Sequence, residues 1–335
     1  MKKPLLCLAV AALCTGHSLT ANAEATPNQI VSTLENKFGV YPGERRNHTK
    51  GICFSGEFQA SAEAAALSRS LLFQGDAVPV IGRFSQAGGN LHAPDNKPNA
   101  HGMALRFNLP DGQLHQMAML DLPFFDVATP EGFLQKQLAT TPDPATGKPD
   151  PARIQAFAQA FPETQRLKQA LAGQSRIPAG YHRLSYNSIN TFILETGEGK
   201  STPVRWAFIP TEDKPAYLNA EQAESLGTDY LQDRLQTDLD SGDIRWRMEL
   251  TLANEDDQLT DPSQPWSGPH QVITAGTLRL QAVDTAADAD CRSINFDPLR
   301  LSDGVKPSDD PILQARSPAY AISFGKRSQE ANRQD

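Results

Sequence analysis

Three short strings hold the residues of this sequence whose types and spacing could do chemistry. Arg45-Arg46-Asn47-His48-Thr49-Lys50-Gly51 sets an imidazole among cations, and Arg83-Phe84-Ser85 offers a hydroxyl beside another guanidinium. Far downstream, Arg316-Ser317-Pro318-Ala319-Tyr320 carries a phenol four residues after an arginine. An imidazole can take up and return a proton near neutral pH. A phenol can bind a metal once the metal and a close cation favour its phenolate. On a helix, Arg316 shares a face with Tyr320 and can reach it. Taken singly, each residue has a plainer explanation. His48 alone is a surface-loop histidine, Ser85 an ordinary strand residue, Tyr320 a core aromatic and Arg316 a solvated charge.

Other signatures fail. Gly199-Lys200-Ser201 resembles the end of a phosphate loop, but Leu194 stands where the first glycine must be, so the string is a hairpin turn. The sequence has no HExxH, CxxC or GxSxG, which removes the commonest zinc, redox and serine-hydrolase chemistries. The first residues have the form of an export signal. Lys2 and Lys3 precede an apolar run from Leu5 to Leu13, and Ala21-Asn22-Ala23 supplies the cleavage pattern. Cleavage after Ala23 makes residues 1–23 a signal peptide and 24–335 one mature core, and implies a periplasmic location. Removing two lysines takes the net charge from −8 to −10, which argues against a nucleic-acid partner. No further apolar stretch is long enough to cross a bilayer, so no membrane partner is expected. Only Cys53 and Cys291 remain after cleavage. An oxidising compartment favours their pairing, but the sequence does not give their separation.

Several elements must position these strings. Ala60 to Phe73 is Ala- and Leu-rich behind Ser61 and predicts a helix. Val78 to Ser85, His101 to Leu109 and Gln113 to Leu120 predict strands, the last two joined at Pro110-Asp111-Gly112. Helical patterns return at Pro151 to Gly173 and Asn219 to Asp240. Further strands are expected at Asn190 to Leu194, Val204 to Ile209, Arg245 to Ala253 and Thr277 to Val283. The N-terminal arm before Glu44 is expected to be short and polar, and the tail from Lys326 to fray. Hairpins with helices grouped between them predict an α+β fold.

Taken together and in order, the strings resemble the catalase family. That family has an Arg-x-x-His-x-[Lys/Arg]-Gly string, an Arg-Phe-Ser string on the next strand and an Arg-x-x-x-Tyr string near the end. His101-Gly102-Met103-Ala104-Leu105-Arg106-Phe107, Asn187 to Phe192, and Phe296-Asp297-Pro298 resemble intervening stretches. The resemblance implies a catalase-like antiparallel β-barrel with flanking helices and one haem b. It gives His48 the distal acid–base role, with Ser85 holding its ring. It makes Tyr320 the axial iron ligand, supported by Arg316, as tyrosine serves in catalase. Arg45, Arg83 and Arg327 match propionate-binding arginines, for which bidentate guanidinium–carboxylate pairing is suited. Phe133 matches the aromatic on the distal haem face, and Phe125 another aromatic of that pocket.

Departures matter equally. Large catalases have a distal asparagine three residues before a proline; with Pro123 aligned, Leu120 takes its place, and a one-residue shift would offer Asp121. Asn47 stands beside the distal histidine where a valine is usual, and Phe324 replaces a histidine near the last arginines. The chain ends at the tyrosine helix. This trimmed form resembles the catalase-related peroxidase subgroup. The resemblance implies reduction of a small-molecule peroxide by a small organic reductant, residual catalase activity left open, in a monomer or small homo-oligomer. Two alternatives stand beside it. One is hydroperoxide rearrangement of the allene oxide synthase type, against which bulky Phe125 and Phe133 count and for which Asn47 counts, more weakly. The other is a periplasmic haem carrier, which would need no matched His48 and Ser85.

Overall fold

A computed structural model describes residues 25–214, 216–286 and 288–333; the expected signal peptide lies outside the described residues. Helix α1 (Pro27–Phe38) leads into strand β1 (Gly51–Ala60), the one-turn helix α2 (Ala62–Ala65), and strands β2 (Ala77–Gln86), β3 (His101–Asn108) and β4 (Leu114–Leu120). Helices α3 (Pro130–Ala139), α4 (Pro151–Ala160) and α5 (Thr164–Ala170) follow. Then come β5 (Ile177–Pro178), β6 (Tyr186–Asn187), β7 (Phe192–Glu195), β8 (Ser201–Pro210) and β9 (Tyr217–Leu218). Helices α6 (Ala220–Glu224) and α7 (Tyr230–Ser241) precede β10 (Ile244–Leu252) and β11 (Val272–Asp284). Helix α8 (Asp290–Ser293), β12 (Val305–Pro307) and the long α9 (Pro311–Ala331) complete the order.

Eight strands close into an antiparallel barrel in the order β10-β11-β1-β2-β3-β4-β6-β8, with β8 returning to β10. Closure leaves no bare sheet edge in the ring. β7 and β12 extend the sheet outward from β8. Alternation along the strands sends one set of side chains inward and the other outward. The inward set is large and apolar. Phe54, Phe58, Phe84, Met103, Phe208 and Trp246 are all essentially inaccessible. Phe84 stacks on Phe54 at 4.5 Å and on Tyr181 at 5.2 Å, each contact adding about 0.5–1.5 kcal/mol beyond the area it buries.

The expected strands are all present, and Thr196 to Lys200 is the turn between β7 and β8. The helix expected at Ala60 to Phe73 is shorter. Ser61 does cap α2, but the helix stops after one turn, and a 3₁₀ turn at Leu71–Phe73 follows. Buried Ser68 and Ser70 explain the break. Their hydroxyls bond Gly304 O and Ser302 Oγ, contacts between distant segments that a continuous helix would compete with. The segment Asn219 to Asp240 divides around Gly227 into α6 and α7. The tail does not begin at Lys326: α9 runs on to Ala331, with Arg327 buried and Lys326 bonded to Glu35 on α1. The arm before Glu44 contains α1, begun by a capping box at Thr26 and Gln29.

Candidate active site

The site lies on the outer barrel wall, not inside the barrel. The register aligns Gly51 with Ser85, Ser85 with Gly102, and Gly102 with Leu120 across β1 to β4. His48 stands just before this row. It sits at φ 56°, a left-handed conformation that costs a non-glycine residue about 1–3 kcal/mol. Neighbours hold it there. Asn47 Oδ1 accepts from His48 N at 3.1 Å and from Gly88 N at 2.9 Å. Arg83 donates to His48 O and to Thr49 O, both at 2.8 Å. Its guanidinium needs Gly51, because a Cβ there would lie 2.7 Å from Arg83 Cζ.

His48 Nδ1 lies 3.0 Å from Ser85 Oγ, which leaves Nε2 as the nitrogen not engaged by Ser85. Gly102 makes room for both groups. A Cβ there would come within 3.1 Å of Ser85 Oγ and 3.3 Å of His48 Cε1. Burial, reinforced by the cations Arg83 and Arg316, pushes the His48 imidazole down to about 3. The imidazole is therefore a neutral base at physiological pH, not a surface histidine. Leu120 faces the cavity. Asp121 does not: it is buried with Arg176 Nη2 at 2.8 Å and accepts from His101 N at 2.7 Å.

Across the cavity, α9 presents Tyr320 and Arg316. Asp310 caps the helix by accepting from Ile312 N and Leu313 N, and its other oxygen accepts from Asn190 Nδ2 at 2.6 Å. Asn190 Oδ1 in turn accepts from Arg316 Nη1 at 2.8 Å. Arg316 Nη2 donates to Ala118 O at 2.9 Å and to Tyr320 Oη at 3.2 Å. The phenol oxygen thus receives a charged donor fixed at two other points. Asn190 is fully buried, and Ile189 before it holds φ 56°, an outlier for a β-branched side chain.

The cavity between these two sides holds about 600 Å³, within the range of ligand sites. Its barrel wall bears the small residues Gly102, Ala104 and Ala118. Phe125 and Phe133 stack at 6.1 Å on its rim, and Phe324 packs beneath Arg327 at 4.7 Å. Arg45, Arg83 and Arg327 also line it. Arg45 and Arg327 donate to backbone carbonyls around α8, sharing Ile294 O at 2.9 Å each. Among the described residues, no carboxylate pairs with any of these three. Burial, and then its neighbours Arg83 and Arg327, hold Arg45 well below the usual guanidinium range; burial brings Arg83 and Arg327 to about 10. Cys53 and Cys291 form a disulfide with Cα atoms 5.6 Å apart, tying β1 to the segment whose carbonyls seat Arg45 and Arg327.

A family model described as Catalase matches residues 41–334. The chain belongs to the catalase family. It is 40% identical over 90% of its length to a catalase-related peroxidase of Synechococcus elongatus, covering 88% of that protein. A catalase-related peroxidase of Mycolicibacterium paratuberculosis is 32% identical over 90% of this chain and 95% of its own. Solved structures of the family share the fold. A bacterial catalase superposes with a TM-score of 0.78 at 22% identity, over 97% of this chain and 67% of its own. Catalase A from Saccharomyces cerevisiae gives 0.77 at 21%, over 86% of this chain and 62% of its own.

The residues present fit the haem typical of this family. Three cations without carboxylate partners at one end of the cavity suit a pair of propionates. The small side chains of the barrel wall leave space for a flat ring, and the phenol of Tyr320 and the imidazole of His48 line the same cavity. All eight residues expected at the site, His48, Ser85, Arg45, Arg83, Phe133, Arg316, Tyr320 and Arg327, line this one cavity. Asn47 and Gly102 also line it, while Asn190 and Asp310 lie behind Arg316; none of the four was singled out as a site residue from the sequence. Asn190 pairs with Asp310 and with Arg316, both more than a hundred positions away. The one local sign was Asp310-Pro311, a helix-start signature.

Proposed function

We propose that this chain is a haem b peroxidase, reducing hydrogen peroxide or organic hydroperoxides with electrons from a small organic donor. The observation that supports this best is the facing pair: neutral His48 on Ser85, and Tyr320 beneath the Arg316 guanidinium. Haem bound between them supplies the redox-active iron. In this proposal Tyr320 would hold the iron through its phenol oxygen, which Arg316 Nη2 steadies with a hydrogen bond at 3.2 Å. Arg45, Arg83 and Arg327 hold the propionates. His48 Nε2 would receive a proton from one peroxide oxygen and return it to the other, which leaves as water; the haem would supply the two electrons that this cleavage takes up, and the organic donor would restore them. Ser85 fixes the ring's orientation through that exchange.

Leu120 sets the balance between reactions. Dismutation needs a second peroxide held in the distal pocket, and Leu120 offers it no hydrogen-bond donor. An organic donor does not need that contact, so peroxidase turnover should outweigh oxygen release. We place the protein in the periplasm. The Cys53–Cys291 disulfide supports an oxidising compartment, and residues 1–23 have the composition of an export signal.

The test is to reconstitute the protein with haem b and compare peroxide-dependent oxidation of a phenolic donor with oxygen evolved from peroxide alone. Donor oxidation should be the faster process. Bound haem that only bleaches with peroxide, without oxidising any donor, would contradict the proposal and favour a carrier.

A further inference from the structure

We propose that the outer end of the same cavity, where α1 meets α3, recognises the carboxylate of an amphipathic substrate. That substrate is an organic donor or hydroperoxide with an apolar body and an anionic end. The inference deepens the haem-peroxidase proposal and rests on it. Hydrogen peroxide needs no such site, being small and neutral.

The wall here is apolar, formed by Ile30, Leu34 and Phe38 of α1 with Pro130 and Phe133 of α3. Two ammonium groups interrupt it, Lys37 and Lys136, and both line the cavity. Their situations differ. Lys136 is neutralised by Asp126, with which it forms an ion pair. Lys37 Nζ bonds only neutral acceptors, Gln137 Oε1 at 3.0 Å and Thr140 Oγ1 at 2.6 Å. Among the described residues no carboxylate pairs with it. An ammonium has three donors, so one remains for a ligand. The group is half-buried, and burial together with the like charge of Lys136 brings it down to about 8. A cation that is poorly solvated, repelled by its neighbour and short of a counter-ion is one that an anion would stabilise.

Elsewhere on α1 the cationic partners are balanced. Glu35 receives both Arg46 and Lys326, at 2.7 and 2.6 Å. Lys37, in the last turn of the helix, lacks such a carboxylate. A bridge from the last turn of α1 to α3 would explain its two neutral hydrogen bonds and its favourable place at a helix C-terminus. That role predicts no discrimination between an acid and its ester, so the two accounts separate cleanly.

The experiment uses the haem-loaded protein and two phenolic donors, 3-(4-hydroxyphenyl)propionate and its methyl ester. Wild type should show a KM for the acid about tenfold below that for the ester, the order expected of one charge-assisted contact. Lys37→Met should bring the two KM values together, and Lys37→Arg should keep them apart. Calorimetric binding of 4-phenylbutyrate and its methyl ester should follow the same pattern without turnover. Equal KM values in wild type, or a preference that survives Lys37→Met, would overturn the inference. If neither donor is oxidised although haem is bound, the peroxidase proposal fails instead. The calorimetric comparison then still decides whether Lys37 binds carboxylates.

Discussion

The two faces of the cavity use the same kind of charge for opposite ends. On the distal face, Arg83 and Arg316 add to burial in keeping a proton off His48, so the imidazole stays a base. On the α9 side, Arg316 donates directly to Tyr320 Oη at 3.2 Å. A cation disfavours protonation of His48, whereas beside Tyr320 the same guanidinium acts as a hydrogen-bond donor to the phenol oxygen. Their supports differ as well. The distal side is a row of strand residues in register, completed by a left-handed loop residue. The proximal side is a helix whose cap, Asp310, also anchors the arginine through Asn190. Backbone register builds one face; side-chain hydrogen bonds build the other.

The sharpest way to break this comparison is to remove the distal base. Positioned proton transfer contributes about 10²–10⁴ in rate, so His48→Ala should slow the reaction with peroxide by at least a hundredfold while haem stays bound. Stopped-flow absorbance after mixing with peroxide measures this, and an unchanged rate would mean that another group moves the proton. A smaller effect is expected from pH. With His48 held near about 3, lowering the pH from 8 to 5 leaves the base neutral, and it is protonated only as the pH falls through about 3. The second-order rate with peroxide should therefore be flat over that range. A fall centred on pH 6 to 7 would mean that the Arg83 and Arg316 environment does not act as described. Leu120→Asn should have the smallest effect, several-fold. One added hydrogen bond is worth about 1 kcal/mol, and it should raise oxygen release relative to donor oxidation. A ratio unmoved by the substitution would separate Leu120 from the reaction balance.

The barrel strands, and the grouping of His48, Ser85, Arg316 and Tyr320 in one cavity, were legible because they sit in short strings with fixed order. What escaped was tertiary. Ser68 and Ser70 end a helix that composition favours, by bonding residues near 302–304. Arg327 and Lys326 extend α9 into a tail that is polar by sequence, because α1 and α8 supply their partners. Asn190 has no local mark of its link to Arg316. By contrast, α1 and α3 were within reach: Thr26-Pro27 and Thr129-Pro130 each pair a cap residue with a proline at the first helical position.

The central claim is that a phenolate from Tyr320, with Arg316 beside it, is the ligand opposite His48. The absorption spectrum of the haem-loaded protein, compared with that of Tyr320→Phe, tests it most directly. Wild type should show phenolate-to-iron charge-transfer features, and Tyr320→Phe should either lose haem or keep it with those features gone. Full haem occupancy with an unchanged spectrum in Tyr320→Phe would contradict the account.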